Sequence, residues 1–323
     1  MKSTFRINKT AIKLLLLVAL ILVFLTAAPL QARSQEVYLN VLTINLLFSE
    51  IPDRNERLNN IAQFVADYAE DIDLILLQEV VGGPLARTFN SALNLKIKLA
   101  VMGVNYQISY RMANGIPGII TVGNAILSRH NILFTIAKTL PVVTEEIIEG
   151  IEIPLARKVM MSRILIPDFG YINVYNTHLC AFCDTHERLT QVESMLSFIN
   201  LIESFFMEKA PAVLGGDFNA EYGSDEYNQI VVENGFIDTY AQLNCPDCCS
   251  QTDPTGCTFA VPCGVVPCNP YAVDPFTGLP EEAKRIDYIF VKNLGEIVSS
   301  DVVFNSEPWV SDHSGVLTKI RLK

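Results

Sequence analysis

The 323-residue sequence predicts one α/β domain. Two stretches, residues 37–77 and 171–214, each pass from an apolar strand pattern through a helical stripe to a second strand, which is typical of the α/β class. Half of the residues are apolar, with 16 Pro and 17 Gly, so the composition excludes collagen-like and intrinsically disordered proteins. The sequence shows no internal repeat of about 20 to 50 residues, which excludes a solenoid.

The first half of the chain provides three of the predicted elements. Residues 37–45 read VYLNVLTIN, with apolar side chains at 37, 39, 41, 42 and 44, and predict a strand that ends at Asn45. The continuous apolar run 74–77 predicts a strand buried on both faces, and this strand ends in Gln78 and Glu79. Between the strands, apolar residues at helical spacing predict a helix: Leu58, Ile61, Ala62 and Val65.

The second half of the chain repeats this order. Residues 171–175 predict a strand, and a second short strand at 212–214 ends in the sequence Gly-Gly-Asp-Phe-Asn at 215–219. Glycines there permit backbone angles and close approaches that other residues cannot adopt. Residues 286–291 and 316–322 predict two final strands. A helical stripe lies between the first two strands: Leu189, Val192, Leu196 and Ile199.

The N-terminal residues have the layout of a secretory signal. Four basic residues accompany an apolar run at 14–25, and small residues follow up to Ala32, so we expect a signal peptide over residues 1–32 and a secreted protein. The run is shorter than the roughly 20 residues that span a bilayer, and an uncleaved membrane anchor is the alternative. Cleavage would remove four basic and no acidic residues, leaving 20 basic and 35 acidic side chains and a net charge of −15.

Charge and cysteine content restrict the function further. The whole chain has 24 basic and 35 acidic residues and no basic block, which argues against a protein that coats nucleic acid. All eight cysteines follow the signal, and an exported protein is expected to pair them in disulfides. Zinc is the alternative for the pairs Cys180/Cys183 and Cys245/Cys248, although no zinc-finger spacing follows. Six cysteines lie between 245 and 268, so the domain at 33–323 contains a Cys-rich insert at about 245–280.

Polar residues that can bind metals or transfer protons recur at the ends of the predicted strands. Each has an ordinary structural explanation on its own: the glycine-rich run can be a tight turn, and Asp287 can pair with Arg285. Charged groups are costly in an apolar core unless they are paired or metal-bound, so their repeated placement predicts one shared cleft. The candidate site residues are Asn45, Glu79, His178, Asp217, Asn219, Asp287, Asp312 and His313.

Six segments, in order, resemble the signature blocks of the endonuclease/exonuclease/phosphatase (DNase I-like) superfamily. The resemblance implies a four-layer α/β sandwich, with two packed mixed β-sheets flanked by helices, and Mg²⁺-dependent hydrolysis of phosphoester bonds. The segments span most of the domain: LLQEV (76–80), GNAILSR (123–129), NTHL (176–179), GGDFNA (215–220), RIDYIF (285–290) and SDHSGV (311–316).

The resemblance also implies a metal site. Glu79 would be the principal Mg²⁺ ligand, and Asn45 would assist its placement or orient the substrate. Asp312 would support either the metal or the neighbouring histidine. Mg²⁺ prefers oxygen ligands and often needs only one or two carboxylates, with water and substrate oxygens completing its shell.

Proton transfer is assigned by the same resemblance. His313 would be the general base, held by Asp287, while Asp217 would orient or help to activate the water. Members of the superfamily differ over whether the aspartate or the histidine is the base, and the sequence leaves both open. Asn219 would donate to a phosphoryl oxygen, and His178 would stabilise charge in the transition state.

The sequence is most like the secreted neutral sphingomyelinases within this superfamily. The segment NTHL continues into Cys180-Ala181 and then Arg188-Leu189-Thr190-Gln191, as in those enzymes. The expected activity is therefore hydrolysis of sphingomyelin to ceramide and phosphocholine, and the expected partner is sphingomyelin or a related phospholipid at a membrane surface. The acidic charge suits a zwitterionic headgroup better than a polyanion.

Two features of the sequence keep the substrate open. The insert carries apolar residues that would form a membrane-contacting loop or pack beneath the disulfides: Phe259, Val261, Val265, Val266 and Tyr271. A secreted DNase I-like endonuclease is the alternative, and a non-catalytic membrane-binding protein is a third candidate. Basic residues that would form a groove for nucleic acid, or be ordinary surface charges, are Arg111, Arg129, Arg157, Lys158 and Arg163.

Overall fold

The computed structural model describes residues 36–323 apart from residues 50, 69–70, 149–150, 207–209, 246, 251, 263–267 and 275–276. The predicted signal peptide lies outside the described residues, so its cleavage or retention as an anchor stays a prediction. Residues Gln35–Lys323 form one compact unit. Within the described part of the chain, no helix combines the length and apolar character needed to span a membrane.

The described residues form fourteen strands and four α-helices, with a 3₁₀ turn at Pro84–Ala86 and a π-helical turn at Gln229–Glu233. In chain order the elements are β1 (Val37–Asn45), α1 (Arg54–Asp67), β2 (Leu74–Gly82), α2 (Ser91–Val101), β3 (Gln107–Ile116), β4 (Ile120–Ser128), β5 (Asn131–Thr139), β6 (Val143–Ile148), β7 (Ile151–Leu155), β8 (Lys158–Ile166), β9 (Gly170–His178), α3 (Thr185–Glu203), β10 (Ala212–Asp217), α4 (Asp225–Asn228), β11 (Ile237–Asp238), β12 (Asp287–Lys292), β13 (Gly295–Val303) and β14 (Gly315–Leu322).

Two mixed sheets of six strands carry the fold. The first has the order β13-β14-β1-β2-β4-β3, and the second has the order β11-β12-β10-β9-β8-β5. The strands β1 and β2 pair in parallel, as do β9 and β10, whereas their outer neighbours are antiparallel. A separate two-stranded hairpin is formed by β6 and β7.

Three apolar clusters define four layers. The central cluster joins inner-face residues of both sheets, including Val41 and Leu76 from the first sheet and Val174 and Val213 from the second. Helices α1 and α2 cover the outer face of the first sheet, and α3 covers that of the second. Each fully buried aliphatic side chain contributes roughly 1.5–3 kcal/mol before ordering costs. This helix, sheet, sheet, helix order confirms the predicted fold class.

The alternation of side chains along the strands explains where the site forms. On β1 the side chains of Leu39 and Val41 enter the central core, and Thr43 and Asn45 continue the same face. Strands β9, β10 and β12 show the same change from apolar to polar residues, ending at His178 and Asp217 and beginning at Asp287. The two inner faces are therefore apolar at the centre of the sandwich and polar at one edge.

Candidate active site

Three predicted site residues form a row across the second sheet. Asp217 at the end of β10 is the register partner of His178 on β9 and of Asp287 on β12. Register partners on adjacent strands point to the same face, so all three side chains lie on the inner face. Gly216, with φ of +141°, allows this pairing because a Cβ there would lie 2.0 Å from the carbonyl oxygen of Thr177.

The carboxylate of Asp217 is the centre of the site. Nδ2 of Asn45, which comes from the other sheet, donates to Oδ2 of Asp217 at 3.0 Å. Nε2 of His178 lies 3.4 Å from the same oxygen, and Nε2 of His313 lies 3.7 Å from it. The backbone N–H of Asn219 donates to Oδ1 at 3.0 Å. Asp217 is almost fully buried, so these groups hold a carboxyl that is shielded from bulk solvent.

His313 is held by a hydrogen bond at one ring nitrogen and by an aromatic neighbour. Nδ1 lies 2.8 Å from Oδ2 of Asp287, and the ring of Phe259 packs at 4.9 Å between centroids. Oγ1 of Thr258 accepts hydrogen bonds from the backbone N–H groups of Ile286 and Asp287, both at 3.0 Å. Asp287 is therefore free for His313, because Arg285 pairs instead with Asp238 at 2.6 Å. The sequence-level alternative of an Asp287–Arg285 pair is wrong.

A break in β2 brings Glu79 to the site. Neighbouring residues of a regular strand point to opposite faces, and Gln78 already points between the sheets, where Nε2 donates to Oδ1 of Asn176. The pairing of β2 with β4 shifts between Leu77 and Val80, and Glu79 adopts a left-handed φ of +51°. The bulge turns its carboxylate toward the cleft, where Oε2 accepts from the backbone N–H of Phe48 at 2.9 Å.

Burial and charge set the protonation of the central groups. Burial and the neighbouring carboxylate of Asp287 raise the pKa of Asp217 to about 7. Burial lowers the pKa of His313, but the carboxylates around it, led by Asp287, outweigh burial and raise the pKa well above its usual range. His313 is therefore an imidazolium at neutral pH, next to an aspartate that titrates there.

His178 lies in the opposite electrostatic environment. Burial, the Arg157 guanidinium and His313 lower the pKa of His178 well below its usual range, so its ring is neutral. Nη1 of Arg157 lies 3.1 Å from Nε2 of His178, which accepts this donor when it carries no proton. Asn114 on β3 makes two hydrogen bonds to the backbone of Ala156 and so fixes the segment before Arg157. Sequence reasoning did not assign Arg157 to the catalytic centre.

The remaining predicted residues border the same cleft. Oδ1 of Asp312 accepts from Oγ of Ser311 at 2.9 Å, and this carboxylate is close enough to Glu79 to raise its pKa. Nδ2 of Asn219 donates to the carbonyl of Leu179 at 3.1 Å, so this amide is engaged by the backbone. All eight candidate residues therefore belong to one cluster, and two of them, Glu79 and His178, line the cleft.

The residues fit a hard divalent cation. Burial and then Asp312 raise the pKa of Glu79, so the negative charge of Glu79 is disfavoured at this position. A cation held by these oxygens would remove that cost, and carboxylate oxygens are the donors that Mg²⁺ prefers. Ligand atoms of Asp217, Asp287 and His313 also lie within 4.8 Å of one another, but Asp287 and His313 already bond directly. We therefore assign the donor set to Glu79 and Asp312, with Asn45 beside them.

A buried polar network supports the site from below. Nε2 of Gln78 donates to Thr43 and Asn176, and Nδ2 of Asn176 donates to the carbonyls of Leu77 and Ala125. These bonds join the two sheets directly beneath the catalytic residues. The motif NTHL contains Asn176, yet only the paired sheets show that its role is to connect them.

The Cys-rich insert lies against the site. Phe259 forms backbone bridges to Lys284 and His313, and Nδ2 of Asn269 donates to the carbonyl of Ser311. Val261 is buried and Tyr271 half-buried, and both pack inward with the disulfide-bonded residues. Of the two alternatives for these side chains, packing beneath the disulfides is confirmed and membrane contact is wrong. Val265 and Val266 lie outside the described residues.

Disulfides explain most of the cysteines. The structure pairs Cys180 with Cys183, Cys245 with Cys248, and Cys249 with Cys257. Cys268 is also disulfide-bonded, and Cys263 lies outside the described residues. Both pairs for which zinc was the alternative are oxidised and offer no thiolate to a metal.

The basic residues considered for a nucleic-acid groove do not form one surface. Arg163 is buried between the rings of Tyr171 and Phe206, and Arg129 pairs with Asp71. Arg111 donates to the carbonyl of Thr135 at 2.6 Å. Two of the five border the cleft that Glu79 and His178 line: Arg157 and Lys158.

The fold and this site together define a hydrolase that acts on phosphoester bonds. The family model described as the Endonuclease/Exonuclease/phosphatase family matches residues 42–313. The chain therefore belongs to the endonuclease/exonuclease/phosphatase family, whose members are generally dependent on divalent metals. No curated protein has significant sequence similarity to the chain.

Several solved structures share the fold. An endonuclease/exonuclease/phosphatase family protein from Leptotrichia buccalis is 22% identical with a TM-score of 0.61, covering 88% of this chain and 100% of its own. A mannosyl-6-phosphatase from Bacteroides thetaiotaomicron is 18% identical with a TM-score of 0.59, and the match covers 87% of this chain and 98% of the phosphatase chain. The human Nocturnin catalytic domain with bound sulfate is 16% identical with a TM-score of 0.58, and the match covers 90% of this chain and 98% of the Nocturnin chain. At these identities the likeness extends to the fold alone.

Proposed function

We propose that this protein is a Mg²⁺-dependent phosphodiesterase that hydrolyses sphingomyelin to ceramide and phosphocholine. The observation that carries the hydrolytic part is the convergence of Asn45, His178 and His313 on one buried carboxylate, Asp217. A carboxyl group with a pKa near neutrality and donors on both sides is suited to activate water.

The cleft beside Asp217 offers donors for a phosphoryl group. Arg157, Lys158 and His178 line it together with Glu79 and Asn124. A guanidinium can bond two phosphoryl oxygens at once, and preorganised donors stabilise the charge that grows on these oxygens during attack. We assign the donor role to Arg157, which His178 orients by accepting from its Nη1, with Asn219 positioned by Leu179 at the edge of the cleft.

Proton movement follows from the two pKa shifts. Asp217 takes a proton from the attacking water at Oδ2, the oxygen that faces both histidines. His313 is the cation beside it and supplies a proton toward the departing ceramide oxygen, while Asp287 keeps the ring oriented through Nδ1. The general base is therefore Asp217 and not His313, which were the two alternatives that the sequence left open.

The divalent cation would be held by Glu79 and Asp312, with Asn45 assisting. When bound, it supplies positive charge that neutralises the phosphoryl oxygens and the departing oxygen. Asn45 also orients Asp217, because its Nδ2 donates to Oδ2 while its Oδ1 accepts from the backbone N–H of Leu47 at 3.0 Å.

The choice of sphingomyelin rests on the sequence segments that follow His178. Arg188 in that region donates to the carbonyls of Cys180 and Cys183, and Gln191 accepts from the N–H of Cys180. These contacts brace the disulfide loop next to His178, and they do not bear on lipid recognition. We place the activity outside the cell, because the disulfides and the N-terminal pattern both suit an oxidising compartment.

Two other functions compete with this proposal. A secreted endonuclease would need a phosphate-binding groove, and the scattered positions of Arg111, Arg129 and Arg163 weaken that reading. A non-catalytic membrane-binding protein would leave the assembled carboxylates and histidines without a role. The structural neighbours include a mannosyl-6-phosphatase, so a sugar phosphate belongs among the test substrates.

The test is a comparison of substrates under one Mg²⁺ condition. Phosphocholine release from sphingomyelin vesicles, nicking of plasmid DNA and phosphate release from mannose 6-phosphate are measured with wild type and His313→Ala. We expect wild type to release phosphocholine and His313→Ala to lose this activity. DNA nicking or phosphate release without phosphocholine would reject sphingomyelin but retain hydrolysis, and inactivity on all three would reject both.

A further inference from the structure

Five large apolar side chains are exposed close to the catalytic cleft. Phe89 is 83% exposed, Leu85 63% and Ile116 60%, and Phe48 and Ile119 are also exposed. We call these five residues the apolar rim. Single exposed apolar residues are normal on a protein surface, but a contiguous group marks a binding surface.

Backbone contacts place the segments that carry the apolar rim next to one another. The N–H of Leu85 donates to the carbonyl of Ile119, and the N–H of Ile119 donates to the carbonyl of Ile116. The guanidinium of Arg54 donates to the carbonyls of Phe48 and Ala86, which joins the β1–α1 loop to the turn that carries Leu85. The carbonyl oxygen of Phe89 lies 2.4 Å from where a Cβ on Gly82 would be, at the end of β2.

The apolar rim is continuous with the candidate site. The N–H of Phe48 donates to the carboxylate of Glu79. The hairpin of β3 and β4 lines the cleft at its base through Asn114 and Gly123, and residues 115–119 at its tip are all exposed. A surface in contact with this tip would therefore lie next to the catalytic cleft.

Four of the five rim residues lie in a segment whose charge differs from that of the whole chain. Residues 80–144 contain no Asp or Glu but six Lys or Arg, although the chain has a net charge of −11. Arg87 is exposed between Leu85 and Phe89. A second cleft beside the rim is lined by Arg54 and Arg87 with Asn55 and Asn94, and among the described residues no carboxylate lines it. Exposed apolar groups among cations suit a layer of phosphate headgroups over acyl chains.

We propose that the apolar rim is the surface by which this protein binds a phospholipid bilayer that bears anionic headgroups. Leu85, Phe89, Ile116 and Ile119 enter the acyl boundary, and Arg87 contacts lipid phosphates. This proposal assigns the membrane-contacting surface to the β2–α2 loop and the β3–β4 hairpin. The connection of that surface with sphingomyelin rests on the proposed function. Binding to the membrane itself does not require turnover.

Vesicle co-sedimentation tests the proposal without catalysis. The chain from residue 33 keeps the complete unit Gln35–Lys323 and omits the apolar segment 14–25, which would bind lipid by itself. Glu79→Gln in this chain is mixed with vesicles of phosphatidylcholine alone or with a minority of phosphatidylserine. We expect binding that is stronger with phosphatidylserine. Serine at Leu85, Phe89, Ile116 and Ile119 together should weaken it at least about tenfold, and Arg87→Glu should remove the preference for phosphatidylserine.

A matched control separates the rim from general hydrophobicity. Leu201→Ser with Val232→Ser replaces two apolar residues, 56% and 74% exposed, on the helical side of the second sheet. This control should bind vesicles like its parent. With Glu79 restored, the fourfold serine variant should still hydrolyse the soluble diester bis(p-nitrophenyl) phosphate, which shows that it is folded.

The outcomes separate this inference from the proposed function. Absence of vesicle binding, or binding that the fourfold serine variant retains, would overturn the apolar rim as a membrane surface. Rim-dependent binding without phosphocholine release would support the surface while rejecting sphingomyelin as substrate. Phosphocholine release from detergent micelles without vesicle binding would reject the surface and retain the substrate.

Discussion

Asp217 and Asp287 are register partners on adjacent strands, and both carboxyl groups face His313. Asp287 bonds Nδ1 at 2.8 Å, whereas Asp217 lies 3.7 Å from Nε2, the nitrogen on the side of the cleft. The two aspartates therefore have different roles, although the sheet presents them side by side. Asp287 orients the ring, and Asp217 is the group placed to exchange a proton with water.

Removing the charge of Asp287 should separate these roles. Asp287→Asn keeps the size of the side chain but no longer stabilises the His313 imidazolium, so we expect kcat to fall by at least about a hundredfold. Asp301→Asn, at an exposed position on β13, is the matched control and should retain wild-type kcat. Near-normal turnover in a folded Asp287→Asn protein would show that the pair is structural.

The metal assignment predicts a change in metal dependence. Glu79→Gln removes the negative charge of one carboxylate from the metal-binding residues. Turnover should therefore fall at least about a hundredfold, and half-maximal activity should require a higher Mg²⁺ concentration. The measurement is kcat as a function of Mg²⁺ concentration for wild type and variant. An unchanged Mg²⁺ requirement would place the cation elsewhere.

Chelation should switch the activity reversibly. Dialysis against EDTA is expected to abolish hydrolysis, and added Mg²⁺ should restore it, because the carboxylates of Glu79 and Asp312 offer the phosphoryl group no positive charge of their own. Circular dichroism before and after dialysis checks that the fold persists. Full activity after exhaustive dialysis would contradict a metal-dependent mechanism.

Arg57 should be important for both stability and activity. Its guanidinium is buried and donates to the carbonyls of Leu46, Leu47 and Val310, which flank Asn45 and the His313 loop. Arg57→Met leaves these carbonyls without that donor, so the free energy of unfolding should fall by about 3 kcal/mol in urea titrations. Gln63→Met, at an exposed position of the same helix, should be close to neutral. A loss as small as that of the control would contradict this role.

Glu203 should make stability depend on pH. Burial raises its pKa, so the folded state retains a proton that the unfolded state has lost, and stability falls as pH rises from about 4.5 through the folded pKa. Glu203→Gln removes this dependence. The variant should match wild type near pH 4 and be more stable than wild type at pH 7 in urea unfolding. Equal stability of the two proteins at both pH values would contradict the shift.

The sequence located the candidate residues at strand ends, because an apolar run that stops at Asn45 or Asp217 is a local pattern. It could not show that His178, Asp217 and Asp287 form one row, because that row depends on pairing between strands that are distant in the chain. The inward packing of Val261 and Tyr271 could not be predicted either, because an apolar loop sequence is the same whether its side chains face solvent or the core.

Three other features could not be predicted from the sequence pattern. A regular β2 would point Glu79 away from Gln78, and only the bulge at a left-handed residue brings its carboxylate to the cleft. Strands β3 and β5 were not predicted, because their half-buried residues mix polar and apolar types without clear alternation. Arg157 lies in a loop outside any motif, and the tertiary contact with His178 alone reveals it.

The most direct test of the account measures the initial rate of phosphocholine release from sphingomyelin vesicles in Mg²⁺, with wild type and Asp217→Asn side by side. We predict release by wild type and a rate at least about a hundredfold lower for the variant. No release by a folded wild-type protein would contradict the proposed substrate, and equal rates would contradict the role of Asp217 at the centre of the site.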